Sequence, residues 1–513
     1  MDGVPALALA GIDKRFGSVH ACRAVDLDVA KGSIHGIVGE NGAGKSTLMG
    51  IVYGYYRADS GTIAVDGKPV DIHSAQDAIA AGIGMVHQHF MLVETFTVLE
   101  NVLLGAEGGA LLADGEAAAR AGLAKLMADY SLDVDLDAKI ADLDVGAQQR
   151  VEILKALYRG ARILILDEPT AVLTPQEADA LFRLLAKWRD QGKTVVLITH
   201  KLREILAITD RVTVLRQGAV VATRDTRSTT QEELAELMVG RRVLLRVAKT
   251  AAKPGGEVLR VEGLRHVDAR GVEKLRGVSF AVRAGEIVGI AGVAGNGQSE
   301  LLEVLAGLKP LAAGRILYKG APVDPPGGAR ASKAARLLGI AHVPEDRLRM
   351  GLVVGYSAAE SAILGYHGDA DLGAGPLLSQ RAATARTRRL MDAFDVRPGL
   401  PALRSGLFSG GNQQKIVLGR EIDRDPDLLL VGQPTRGVDI GAIEFIHRRL
   451  VALRDSGKAI LLVSCELDEI LGLADRILVM FDGRIAGELA RETADERSLG
   501  LLMAGSSLPA AAE

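Results

Sequence analysis

Short, continuous apolar runs punctuate the chain, and each ends on a small, polar or charged residue. Examples are Ile34-His-Gly-Ile-Val38, Ile163-Leu-Ile-Leu166 and Val195-Val-Leu-Ile198. Runs this short, without polar alternation, predict strands buried on both faces, the mark of a parallel sheet. Elsewhere the period changes. Ala178, Leu181, Leu185 and Trp188 fall on one face at helical spacing, which predicts a helix packed on that sheet. Thr174 is its expected N-cap, Pro175 its first residue, and Glu177 the partner that completes a capping box. The regions 105–142 and 366–405 are rich in Ala and Leu with a helical period and read as a helical insert. Strand, loop and helix in alternation predict the α/β class.

The pattern occurs twice. Lys31-Gly-Ser-Ile-His-Gly-Ile-Val-Gly39 matches Ala284-Gly-Glu-Ile-Val-Gly-Ile-Ala-Gly292, and Ala161-Arg-Ile-Leu-Ile-Leu-Asp-Glu-Pro-Thr170 matches Pro426-Asp-Leu-Leu-Leu-Val-Gly-Gln-Pro-Thr435. Lys193-Thr-Val-Val-Leu-Ile-Thr-His200 matches Lys458-Ala-Ile-Leu-Leu-Val-Ser-Cys465. The offset grows from 253 to 265, so the second copy gained 12 residues between its first and later motifs. The expected domains are 1–247 and 257–505, joined by a linker at 248–256 and followed by a tail at 506–513.

Composition narrows the picture only modestly. A chain of 513 residues suits two cores. A net charge of −3 gives no electrostatic reason to expect nucleic acid. Two cysteines, Cys22 and Cys465, rule out a disulfide scaffold and fit a reducing compartment. Cys465, at a strand end, reads as a small buried hydrophobe with no zinc spacing. No signal-peptide pattern is visible, and no apolar run approaches membrane-spanning length.

The chemistry lies where the strands end. Gly39-Glu40-Asn41-Gly42-Ala43-Gly44-Lys45-Ser46-Thr47 is a phosphate-binding loop between a strand and a helix. Its glycines let backbone N–H groups and a helix N-terminus face an anion. Lys45 adds a full charge at the β- and γ-phosphates of ATP, and Ser46 offers a hydroxyl to Mg²⁺. Asp167 and Glu168 close an apolar run, Asp167 as the expected Mg²⁺ partner and Glu168 as the base on the attacking water. His200 ends the next strand and is a candidate γ-phosphate contact. Gln88, in Val86-His-Gln-His-Phe-Met-Leu92, is a candidate contact to Mg²⁺ and water. Phe16 is a candidate adenine platform, with a buried aromatic as the competing reading.

The second copy departs at almost every one of these positions. Its loop runs from Gly292 to Gly297, Gln298, Ser299 and Glu300, with Gln298 in place of the lysine and Glu300 in place of the threonine. Gly432 and Gln433 replace the Asp-Glu pair, Glu345 stands at the loop-glutamine position, and Cys465 stands at the histidine. Gln433 cannot take a proton from water, and Gln298 carries no charge to offset a polyphosphate.

Together with Phe408-Ser409-Gly410-Gly411-Asn412-Gln413-Gln414 before the second Asp-Glu-equivalent strand, these motifs resemble ABC transporter ATP-binding subunits. The resemblance covers about residues 5 to 505 and is closest to the fused tandem ATPases of sugar and nucleoside importers. Val86-His-Gln-His-Phe-Met-Leu92, Tyr158-Arg-Gly-Ala and Ala171-Val-Leu-Thr-Pro-Gln-Glu177 are most similar to the purine-nucleoside branch. So is Gly441-Ala-Ile-Glu-Phe-Ile-His-Arg-Arg449. The resemblance implies two ABC ATPase domains, each a RecA-like parallel-sheet core with a β-subdomain and a helical insert. It implies ATP and Mg²⁺ as ligands and head-to-tail pairing. One site would combine the first loop with Ser409, Gly410, Gly411, Asn412 and Gln413. The other would combine the second loop with Leu143-Asp144-Val145-Gly146-Ala147. There Asp144 would set a carboxylate against the γ-phosphate, a repulsion of roughly 4 kcal/mol at ~4 Å and an effective dielectric near 20. The implied partners are two integral-membrane permease subunits and, indirectly, an extracytoplasmic substrate-binding lipoprotein, with this chain peripheral on the cytoplasmic face. The helical insert and the segments after Gln88 and Glu345 are the expected contact surface, with Phe90, Met91 and Leu92 as candidates to meet a partner helix and a buried core as the competing reading for them. The implied activity is ATP hydrolysis at one site, coupled to import of purine nucleosides. A ribose- or galactose-type sugar is the alternative, and a soluble tandem ATPase acting in translation is a remote one.

Overall fold

The computed structural model describes residues 3–506, apart from 18, 88–89, 106–111, 131, 171–172, 174, 200, 244–246, 294, 324–326 and 374–376. The chain divides into two compact units, Met1–Val243 and Leu244–Glu513. Thr174, the expected cap, lies outside the described residues.

In the first unit the strands are β1 (Leu7–Phe16), β2 (Val19–Val29), β3 (Ile34–Val38), β4 (Ser60–Val65), β5 (Lys68–Val70) and β6 (Ile83–Val86). They continue with β7 (Ile163–Asp167), β8 (Thr194–Ile198), β9 (Arg211–Arg216) and β10 (Ala219–Asp225). Four of them form an antiparallel sheet in the order β2-β1-β4-β5. The other six run β10-β9-β3-β8-β7-β6, parallel except for β10 at the edge. The fully buried apolar runs β3, β7 and β8 occupy the middle of this sheet, where both faces are covered. The polar residue inside β3, His35, donates or accepts one hydrogen bond with Thr213 Oγ1 at 2.8 Å. Burial lowers its pKa to about 4, so it is neutral.

Helix Lys45–Val52 lies in the core between the two sheets: Leu48, Met49, Ile51 and Val52 share one buried cluster with Leu7, Leu9, Ile37, Ile165 and Val196. Packing of this kind fixes the phosphate-type loop at its N-terminus. Helix Pro175–Asp190 buries Leu181, Leu185 and Trp188 as the period requires, with Ala178 half-buried. The segment read as an insert holds helix Leu112–Tyr130, and helix Val145–Tyr158 follows it.

The second unit repeats this plan. Its strands are β11 (Glu257–Val267), β12 (Glu273–Arg283), β13 (Ile287–Ala291), β14 (Ala313–Tyr318), β15 (Ala321–Pro322) and β16 (Ile340–Val343). Then come β17 (Leu428–Gly432), β18 (Ala459–Ser464), β19 (Arg476–Phe481) and β20 (Arg484–Ala490). The antiparallel sheet is β12-β11-β14-β15 and the larger sheet β16-β17-β18-β13-β19-β20, again antiparallel only at β20. Helix Gln298–Leu305 packs between them through Leu301, Leu302 and Val304. Helices Gly410–Ile422 and Ile440–Asp455 cover the far face.

Part of the segment read as a linker is tied down within the second unit. Lys249 Nζ donates to Leu473 O, Ala474 O and Asp475 Oδ1 at 2.6–2.9 Å. The first two are carbonyls at the end of helix Leu467–Leu473, a natural site for a cation, and the third is a carboxylate that pairs with it. Arg454 Nη2 donates to Thr250 O at 3.0 Å.

Candidate nucleotide site

The first unit gathers Lys45, Ser46, Asp167 and Glu168 around the C-terminal ends of β3 and β7. Gly44 must be glycine. Its φ of +100° lies in the left-handed region, and a Cβ there would come within 2.3 Å of Ala21 O. From the next residue Lys45 turns back over the loop, its Nζ donating to Gly39 O at 2.7 Å and Glu40 O at 3.1 Å. Lys45 as a whole is only 6% exposed. Burial lowers its pKa, and the carboxylates of Glu168, Asp167 and Glu40 work against that shift. Asp167, the last residue of β7, is buried, which raises its pKa; the Ser46 hydroxyl bonds to it and pulls the other way. Glu168 follows at φ +48°, a left-handed conformation in a non-glycine residue, and its N–H donates to Ile198 O at 2.8 Å. Strain of this kind clusters at functional sites.

Around the next strand end, Glu204 receives Thr170 Oγ1 at 2.5 Å and Thr199 Oγ1 at 3.2 Å, so the turns after β7 and β8 are braced together. Gln88 and His200 lie outside the described residues. Phe16 is 43% exposed and meets Tyr56 edge-on at 5.2 Å between ring centroids, with Lys14 over its face.

The residues present fit a nucleotide with a divalent cation. A desolvated ammonium whose hydrogen bonds go to backbone carbonyls gains from an anion. One hydroxyl and one carboxylate are the small hard donor set that Mg²⁺ takes when phosphates and water supply the rest. Among the described residues no three His, Cys, Asp or Glu side chains converge as a self-sufficient metal cage.

The second unit keeps the backbone and changes the chemistry. Gly297 repeats φ +100° and ψ 1°, and Gln433 repeats the left-handed turn at φ +46°. Gln298 donates Nε2 to Val293 O at 3.0 Å, the same acceptor position that Glu40 offers Lys45. Gln433 is tied to the next strand end through both amide atoms: Nε2 to Cys465 Sγ at 3.0 Å, and Cys465 N to Oε1 at 3.2 Å. Cys465 itself is exposed, not the buried hydrophobe its strand-end position predicts, because it stands beyond the last buried residue of β18. Glu300 pairs with Lys309 at 3.8 Å.

Sequence reasoning missed one rearrangement. Gly432 leaves a gap where β7 has Asp167, and Glu345 fills it: a Cβ on Gly432 would lie 2.5 Å from Glu345 Cγ. Glu345 accepts a hydrogen bond from Ser299 Oγ, as Asp167 does from Ser46. Burial raises its pKa. The signal available was a glycine and a carboxylate in the same copy at positions that should hold the reverse charge.

The two signature-type turns cap helices. Ser409 caps helix Gly410–Ile422 by accepting from Asn412 N at 3.4 Å, and Asn412 Nδ2 donates to the same hydroxyl at 2.8 Å. Gln413 Nε2 donates to Ser405 O at 3.1 Å. Asp144 caps helix Val145–Tyr158, its Oδ1 accepting from Ala147 N at 2.6 Å. That bond uses the oxygen in a local role at the helix N-terminus, where negative charge is favourable.

A family model described as "ABC transporter" matches residues 22–171 and 275–436. The guanosine import ATP-binding protein of Bacillus subtilis (strain 168) is 47% identical over 98% of both chains. The nucleoside import ATP-binding protein of Lactococcus lactis subsp. cremoris (strain MG1363) is 46% identical over 97% of both. The glucose import ATP-binding protein of Haloferax volcanii (strain ATCC 29605) is 46% identical over 98% of this chain and 96% of its own. Among solved structures, the archaeal ribosome recycling factor in complex with the ribosomal stalk protein aligns with TM-score 0.60 and 20% identity. The alignment covers 94% of this chain and 90% of that one, a likeness of fold.

Proposed function

The chain belongs to the ABC transporter ATP-binding family, and on that premise we propose that it is the ATP-hydrolysing subunit of an importer for purine nucleosides. The observation that carries the reading is an intact set of Lys45, Ser46, Asp167 and Glu168 in one copy of the repeat and a degenerate set at the matching positions of the other. The identity to guanosine and nucleoside import proteins supports the substrate class. Similarity to a glucose import protein favours a sugar as the second reading.

In this reading Lys45 neutralises the β- and γ-phosphates, and the loop N–H groups orient them. Ser46 and Asp167 are the residues that would hold Mg²⁺, which would supply charge neutralisation to the phosphates when bound. Glu168 accepts the proton of the attacking water, with Gln88 and His200 positioning water and γ-phosphate. Only the second copy keeps Ser409-Gly410-Gly411, and only the first keeps Lys45 with Asp167 and Glu168, so the motifs are divided unequally between the copies. Among the described residues no helix is long and apolar enough to cross a membrane. Transport therefore calls for partners: two permease subunits and a substrate-binding lipoprotein outside, with this chain on the cytoplasmic face.

The test is uptake of labelled guanosine, adenosine and ribose by cells lacking the chain, complemented with wild type or Glu168→Gln. Nucleoside uptake restored by wild type alone is expected, with the variant lower by about 10²–10⁴. Ribose uptake in its place would overturn the substrate class. No restored uptake together with poor translation would overturn the importer reading.

A further inference from the structure

The nucleotide site leaves a half-buried cation, Arg347, without a role. It opens a single π-turn, Arg347–Gly351, four residues beyond the end of β16. Its guanidinium is turned inward. Nη1 donates to Arg436 O at 2.6 Å, Nη2 to Gly437 O at 3.2 Å, and Nε to Gln413 Oε1 at 3.4 Å. It also lies against Gly410, where a Cβ would come within 2.6 Å of Nη2. One side chain thus touches the Ser-Gly-Gly turn, the first turn of its helix and the backbone after β17.

We propose that Arg347 is a positioning residue that locks the Ser409–Gly411 turn to the loop following Glu345, so that force on that loop is delivered to the turn. The proposal deepens the reading above and rests on it. Three further attachments make the loop stiff. Glu345 accepts from Ser299 Oγ at its start, and Asp346 Oδ1 accepts from Leu348 N and Arg349 N at 3.0 Å. At its end Arg420, on the same helix as the turn, donates Nη1 to Gly351 O at 2.8 Å. Outward, the loop and its continuation expose Leu348, Met350, Val353, Val354 and Tyr356. Apolar side chains held on so rigid a base suit a membrane partner that presses on them.

The first unit shows why this wiring is specific. Counting from the end of β6, the position of Arg347 is held by Phe90, which has no side-chain donor. Its loop is clamped elsewhere. Met91 N donates to Glu152 Oε1 at 2.8 Å, and Lys155 Nζ donates to Met91 O at 3.1 Å, both well along helix Val145–Tyr158 and away from its N-terminus. The direct link from loop to turn is therefore found in the copy whose Ser-Gly-Gly is intact.

The experiment compares the full-length chain with Arg347→Ala, Arg347→Lys and Glu168→Gln. It reads ATP kcat and KM, thermal unfolding, and nucleoside uptake in complemented cells. For R347A the expected result is kcat lower by about tenfold, the size of effect that a lost charge-assisted contact gives, with KM and unfolding midpoint little changed and uptake lost. R347K keeps a cation for the two carbonyls but loses the planar fork, so it recovers part of kcat. A folded R347A with wild-type kcat and uptake overturns the proposal. So does a parallel fall of kcat, KM performance and unfolding midpoint that lysine does not relieve, because that is a purely structural role. Should R347A not fold, R347K decides: partial kcat is expected, and wild-type kcat overturns. Hydrolysis and uptake surviving Glu168→Gln would instead bring down the reading on which the proposal rests.

Discussion

Asp167 shows at the scale of one residue how the first site trades stability for chemistry. Its carboxylate is buried, which raises its pKa against the opposing pull of the Ser46 hydroxyl and the Lys45 charge. A carboxyl group whose native pKa is raised favours the fold only while protonated, and that contribution is lost as pH rises through the native value. At neutral pH the ionised group therefore weighs against the nucleotide-free fold. Asp167→Asn is expected to raise the unfolding midpoint near pH 7, and the gain should fade as the pH is lowered towards 4. Hydrolysis should fall by about 10²–10³ in the same variant, as when one preorganised electrostatic group is removed. Thermal unfolding across a pH series, set beside phosphate release, checks both signs. An N variant that is less stable at pH 7 would contradict the burial argument. The motif letters alone named Lys45, Ser46, Asp167 and Glu168. They did not reveal that Glu345 swings into the gap over Gly432, because the vacancy exists only once two strand ends and a loop are brought together.

Elements were legible in proportion to how local their causes are. The buried runs β3, β7, β8, β17 and β18 follow from uninterrupted apolar sequence, and helix Pro175–Asp190 follows from the 3.6 period. The order of strands in the antiparallel sheets depends on long-range pairing, such as β1 with β4, and has no local signature. Asp144 is the instructive residue. The resemblance implies a carboxylate near phosphate at this position, and within its own unit the Oδ1 of Asp144 accepts from Ala147 N and starts a helix. Its short side chain satisfies one of the unpaired N–H groups of the first turn as the Ser409 hydroxyl does. Asp144→Ala is accordingly expected to cost about 0.5–2 kcal/mol, and Asp144→Ser only a few tenths. Urea unfolding of the three chains distinguishes them. If alanine costs nothing, the cap carries no weight and the oxygen serves another purpose.

At the scale of the molecule, the two copies share dihedral angles and differ in what their side chains hold. Gly44 and Gly297, and Glu168 and Gln433, have nearly the same φ, so the duplicated backbone still presents a loop and a strained turn in each unit. What has gone from the second is the lysine and the Asp-Glu pair, and the replacements have found partners. Gln433 spends its donor on Cys465 Sγ and its acceptor on Cys465 N, and Gln298 its donor on Val293 O. A carboxylate at Gly432 would meet Glu345 and Leu302 at less than 3 Å. Restoring one letter therefore cannot restore the reaction. In a chain already carrying Glu168→Gln, the further change Gln433→Glu is expected to give single-turnover phosphate release no faster than Glu168→Gln alone. The new carboxylate would also lose the Sγ contact and sit buried, with an unfolding midpoint at or below that of its parent. Recovery of hydrolysis in the double variant would mean that a single base silences the second copy, and the asymmetry between the units would then lie in one residue instead of the whole constellation.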